Sequence, residues 1–155
     1  MSFFIDRVEG LYESIDDLAK LEITFEQMLK QKFLELLEAI VAEARSNLQN
    51  SPSVITGDLN ASIQVLSYDA SKLEGEVGTE LFYAVWVEYG RPEIYPVVAK
   101  VLHWIDPDTG EDRFSHYSPP TDGQPFLEPA VIVKTAEYAD IVAYRIDDEL
   151  ARMGF

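Results

Sequence analysis

Cysteine is absent from these 155 residues, which removes disulfides, thiolate nucleophiles and every cysteine-based zinc or iron–sulfur site. Basic residues are scarce, 12 Lys and Arg against 28 Asp and Glu, for a formal net charge of −16. Gripping a phosphate backbone needs a basic footprint, so sequence-specific nucleic-acid binding is not expected. No apolar run approaches the roughly 20 residues that cross a bilayer, and no membrane association is expected. The first residues, Met-Ser-Phe-Phe-Ile-Asp, lack the basic flank and apolar core of a signal peptide. The expectation is a protein made in the cytoplasm. With 47% hydrophobic residues the chain has the apolar content of a globular protein despite its charge, and its length suits one domain over residues 1–155.

What is present is organised around Glu76 to Pro92, a run with one of the two tryptophans and a single acid, Glu88, among apolar neighbours. This run is expected to be core. Thr79 as N-cap and Gly90 as terminator favour a short helix, while its aromatic and β-branched content favours a strand. Glu88 has two readings: an acid at the edge of packed surface, snorkelling or paired with Arg91, or a catalytic carboxylate.

Before this run, Ser2 to Val8 reads as an edge strand, and Leu11, Ile15, Leu18 and Leu21 fall at helical spacing. Thr24 and Gln27 form a capping-box pattern, with Ile23 and Met28 placed as a hydrophobic staple, which predicts a second helix start. From there Phe25, Leu29, Phe33, Leu36 or Leu37, Ile40, Ala44 and Leu48 form one apolar stripe to about Asn50. Asn50 to Ser53 breaks the helix, and Thr56 to Asn60 reads as a capped turn. Two hairpins are predicted, Ser62–Tyr68 with Leu73–Gly78, and Val101–Ile105 with Arg113–Tyr117 across an Asp106–Gly110 turn. The second turn departs from the calcium-loop pattern at Gly110, Glu111 and Tyr117, so no metal site is expected there. Pro129 sits in the first turn of a last helix, whose stripe is Val131, Tyr138, Val142, Ile146, Leu150 and Met153. The fold class expected is α+β, a small antiparallel sheet of two β-hairpins packed against a long helix near the N-terminus and a C-terminal helix.

Two histidines, His103 and His116, fall on the strands of the second hairpin and could face each other. Without a placed third ligand or a nearby nucleophile they support neither a metal site nor catalysis. No cofactor is expected. An enzyme built from Glu88 with either histidine would need an acid and a base converging in one pocket, and no motif places them so.

Three segments carry a resemblance: Thr56-Gly57-Asp58-Leu59-Asn60-Ala61-Ser62-Ile63; Val77-Gly78-Thr79 with Tyr83-Ala84-Val85-Trp86-Val87-Glu88-Tyr89-Gly90; and Gln124-Pro125-Phe126-Leu127-Glu128-Pro129-Ala130. Together they resemble the gene-product-ten-like neck and tail-completion proteins of long-tailed bacteriophages, over residues 1 to about 150. Asp58 and Asn60 stand where such proteins often carry a basic residue, and Trp86 where proline is common. The resemblance implies a non-enzymatic structural protein that closes into a homo-oligomeric ring at the head–tail junction. Its partners would be a connector or head-closure protein and a tail-tube or tail-terminator protein, its place the neck of the virion, and its ring would surround the DNA channel. The motif positions Thr56, Gly57, Leu59, Ser62, Gly78, Thr79, Tyr83, Ala84, Glu88, Gly90, Pro125, Phe126 and Pro129 are then structural or subunit-interface residues. Glu74, Glu76, Asp106, Asp108 and Asp112, on polar faces or turns, are candidates for acids facing the channel. The alternative carried by composition alone is an acidic protein-binding module such as an inhibitor or adaptor. Its acids, however, are mixed with apolar stripes on every element rather than gathered on one surface.

Overall fold

The computed structural model describes residues 7–50, 57–106 and 108–152. Helix α1 runs unbroken from Arg7 to Gln49, 43 residues and about 65 Å at 1.5 Å per residue. The predicted restart at Thr24 does not occur. No proline or glycine occurs between Leu11 and Gln49, and the Thr24 hydroxyl donates back to the Lys20 carbonyl at 2.9 Å, so the capping-box residues lie in mid-helix. Of the predicted edge strand, residues 2–6 lie outside the described residues, and Arg7 and Val8 belong to α1.

The apolar stripe of α1 makes the core. Leu36, Ile40, Ala44 and Leu48 are buried against Leu59, Ile63, Phe126 and Ala130. Leu59 belongs to α2 (Gly57–Ser62), a short helix in place of the predicted turn. Thr56 lies outside the described residues. Asn60 Nδ2 donates to the Arg45 carbonyl at 2.8 Å and Arg45 Nη2 to the Ile63 carbonyl at 2.7 Å, which ties α2 to α1 in both directions. Strands β1 (Gln64–Asp69) and β2 (Glu74–Gly78) form the first predicted hairpin. It lies along α1: Tyr68 stacks on Phe33 and donates its hydroxyl to the Lys30 carbonyl at 2.9 Å.

Then follow α3 (Ala84–Tyr89) and β3 (Gly90–Arg91). Strand β4 (Leu102–Ile105) pairs with β5 (Asp112–Ser115), and β6 (Thr121–Asp122) returns to pair with β3. Helix α4 (Leu127–Arg152) packs back along α1, with Lys134 3.4 Å from Glu43 and Ala130 fully buried. Met153 lies outside the described residues. The class is α+β, as expected, and among the described residues the strands lie in three separate two-stranded sheets.

The Glu76–Pro92 run is core on one side only, where Val77, Leu81, Tyr83, Ala84 and Val87 pack against the buried cluster. Phe82, Val85, Trp86 and Tyr89 are exposed, and Glu88 is the buried residue of α3. The cause is length: six residues of helix cannot bury every side, and the side turned inward carries Ala84, Val87 and Glu88. The structure also separates the two histidines. His103 lies opposite Phe114, stacked at 4.8 Å, and bonds Asp112 at 2.6 Å, while His116 lies near the Lys100 carbonyl.

Candidate functional site

A helix begins with backbone N–H groups that have no partner within the helix. At the start of α4 the local sequence, Gln-Pro-Phe-Leu-Glu-Pro, has no Ser, Thr, Asp or Asn to accept them. Glu88 does so from 38 residues away. Its Oε2 accepts the N–H of Phe126 at 2.8 Å and of Leu127 at 3.0 Å, and its Oε1 accepts that of Glu128 at 2.9 Å. The next residue, Pro129, has no N–H to satisfy. The carboxylate is 6% exposed. Its negative charge also lies at the positive end of the α4 dipole, where it is favoured.

Glu88 is therefore neither snorkelling nor paired with Arg91, whose Nη2 donates instead to Ser118 Oγ at 2.6 Å. Both carboxylate oxygens are taken up by backbone, and the histidines have the partners described above. The structure does not bring Glu88 to either histidine; the acid that His103 meets is Asp112. Among the described residues, no group of three or more His, Cys, Asp or Glu is placed to hold a metal ion.

Two glycines let the chains pass where Glu88 reaches α4. Gly90 has φ +82°, and a Cβ there would lie 2.5 Å from the Thr121 carbonyl oxygen. A Cβ on Gly123 would lie 2.6 Å from the Glu88 carbonyl oxygen. Gly90 does end α3, as expected, its N–H donating to the Trp86 carbonyl, but its ψ of 174° sends the chain straight into β3. The Gln124 N–H donates to the Val87 carbonyl at 2.7 Å, and Asn47 Nδ2 to the Phe126 carbonyl at 3.0 Å. Helices α1, α3 and α4 meet at this point.

Thr79 does not cap α3; Tyr83 holds the N-cap place with no side-chain bond. The Thr79 hydroxyl accepts the Leu81 N–H at 3.1 Å and sits 2.6 Å from Ser62 Oγ, which donates to the Leu59 carbonyl at 2.8 Å. With the Ser62 proton on Leu59, the Thr79 proton goes to Ser62, and the end of α2 is bonded to the loop after β2. Buried Gly78 completes the contact, with room for a Cβ only 3.3 Å from Leu66. The three sequence segments are thus joined, Ser62 to Thr79 and Glu88 to Phe126, Leu127 and Glu128.

A family model described as "Bacteriophage HK97-gp10, putative tail-component" matches residues 10–90. The chain belongs to this family. No curated protein and no solved structure matches it. As a member of the HK97-gp10-like family it is a structural tail component of a bacteriophage, and a tail component is a part of the virion that meets other phage structural proteins. Among the described residues no helix is long and apolar enough to cross a membrane. The match ends at Gly90, so it includes Glu88 but not the α4 start that Glu88 holds.

The remaining expected positions have structural places. Ala84 packs on the core, and Gly57 opens α2. Tyr83 lines a cavity of about 310 Å³ with Trp86, Arg91, Thr121 and Asp122. Pro125 and Pro129 flank the capped turn. Glu74, Glu76 and Asp108 are exposed and form no ion pair among the described residues. Asp106 is committed to its turn: Oδ1 accepts the N–H of Asp108 at 3.0 Å and of Thr109 at 3.3 Å, and Oδ2 meets Arg113 Nε at 3.1 Å. These bonds, the one from the Asp108 N–H foremost, hold its carboxyl below the usual aspartate range. The sequence reading missed the α4 cap. The signal was there as two deficits, an acid without a local partner and a helix start without a local cap.

Proposed function

We propose that this tail component is a non-enzymatic, ring-forming neck or tail-completion protein at the head–tail junction, surrounding the DNA channel between the connector or head-closure protein and the tail tube or its terminator. One observation carries the reading beyond family membership. Among the described residues large apolar side chains stand exposed in three places: Val85, Trp86 and Tyr89 on α3, Trp104, Ile105 and Phe114 on the β4–β5 hairpin, and Ile132, Ile141 and Tyr144 on α4. Exposed apolar surface of this extent marks contacts with other protein subunits.

The −16 charge fits such a conduit. Basic residues on a channel wall would hold DNA by displacing its condensed counterions, and acidic ones let it slide. Glu74 and Glu76 on β2, with Asp108 and Asp112 on the second hairpin, are proposed to face the lumen. Asp106 is better explained by its turn. Electron microscopy of the purified protein, alone and with the neighbouring neck and tail proteins, tests the assembly, with rings or capped tubes expected. A monodisperse monomer in every mixture would refute the ring. Glu74→Lys with Glu76→Lys in otherwise intact particles should leave assembly normal and slow DNA release; unchanged infection kinetics would remove those acids from the wall.

A further inference from the structure

Residues 92–118 leave the body as an arm. Its root is firm: β3 pairs with β6, the Ile94 and Ser118 backbones exchange bonds of 2.9 and 2.8 Å, and Tyr95 stacks on Tyr117 at 6.1 Å. Beyond the root the arm has little of its own chain to lean on. Among the described residues β4 and β5 pair with each other, and neither packs extensively on any other helix or strand. Trp104 is exposed on one face of the hairpin, Ile105 and Phe114 on the other, and Val97 and Val98 are 96% and 100% exposed. An isolated two-stranded hairpin is marginal in water, so one with apolar groups on both faces calls for a covering surface.

The same chain carries a concave apolar surface. A groove of about 430 Å³ lies over the capped start of α4, lined by Leu66, Val85, Tyr89, Val131 and Ile132, all of them exposed. Arm and groove are different surfaces of one chain, one projecting and one hollow, each uncovered. A contact that joins unlike patches of identical subunits is heterologous, and when its rotation closes it makes a ring.

We infer that the arm of each subunit seats in the groove of the next copy, its hairpin covering Ile132 and Val131. The occupant is a second copy because arm and groove each expose several large apolar side chains, Val97, Val98, Trp104, Ile105 and Phe114 on the one and Leu66, Val85, Tyr89, Val131 and Ile132 on the other, and because both halves of the contact belong to this chain. The inference rests on the ring reading and supplies the contact that would close it. Glu88 and the Gly90–Gly123 crossing then act as positioning residues, since they hold the arm root and the groove floor in one fixed relation.

The lack of native cysteine allows a direct test. Ile105→Cys in the arm and Ile132→Cys in the groove, both at exposed positions, are introduced together into the full chain, with circular dichroism to verify folding. A short bis-maleimide is applied to the protein in 1 M salt and to assembled particles. A ladder of covalent multimers is expected from the double variant, dimers and nothing larger from a mixture of the two single variants, and no multimers from either alone. A cross-link within one chain, dimers from a single variant, or capture of a different particle protein by Ile105→Cys would overturn the inference. Rings seen by microscopy without any cross-link would overturn the seating and leave the ring reading intact. Failure of both would mean that no ring forms.

Discussion

Glu88 offers two oxygens to three N–H groups in a place water hardly reaches, which makes its substitutions informative. Glu88→Gln keeps the shape but turns an NH₂ group toward a donor. Leaving a buried donor unpaired costs about 1–3 kcal/mol. Urea denaturation should show a loss of that order, with faster hydrogen exchange at Phe126, Leu127 and Glu128; unchanged stability would mean that the cap contributes nothing. Asp106 makes a pH-dependent contribution. Its depressed folded pKa means that its turn is fully stabilised above the ordinary aspartate value, and that this stabilisation is lost as pH falls through the lower folded value. Protection of the Asp108 and Thr109 amides, measured against their intrinsic exchange rate at each pH, should therefore fall only in acid. Asp106→Asn, which keeps the accepting oxygen, should flatten that dependence.

At the scale of elements, the continuity of α1 makes a prediction of definite sign. Were Thr24 an N-cap, Thr24→Ala would destabilise by about 1 kcal/mol. In mid-helix, with its hydroxyl bonded back to Lys20, the same change replaces a poorer helix former with the best one and should stabilise by up to about 0.7 kcal/mol. Thermal unfolding distinguishes the two. The chain crossing predicts that Gly123→Ala and Gly90→Ala each cost about 1–3 kcal/mol or more, through the contacts a Cβ would make and, at Gly90, the positive φ. Because the crossing sets where the arm leaves the body, variants stable enough to fold should still assemble poorly, by sedimentation velocity.

For the whole molecule, like charge on every copy opposes association at low ionic strength. Screening shortens from about 10 Å at 0.1 M salt to about 3 Å at 1 M. Added salt should therefore promote self-association, seen as a rising sedimentation coefficient. Multimers stable at low salt that fall apart at high salt would show that attraction between charges, rather than apolar contact between arm and groove, holds the copies together.

The stripe from Phe33 to Leu48, the two hairpins and the last helix were legible because they depend on local periodicity and turn chemistry: 3.6-residue spacing, strand alternation, Asp and Gly in turns. The family was legible because the segments that fall inside its match, residues 56–63 and 77–90, are each a short continuous stretch of chain. The packing partners were not. Whether the aromatic run near Trp86 is core or surface depends on how much of a six-residue helix α1 and α4 can cover, which no local pattern encodes. Thr24 and Gln27 carried a start signal that the uninterrupted helical sequence around them overrode. The role of Glu88 required tertiary structure, because a carboxylate and the helix it caps, 38 residues apart, become a single site only when the chain brings Gly90 against Gly123.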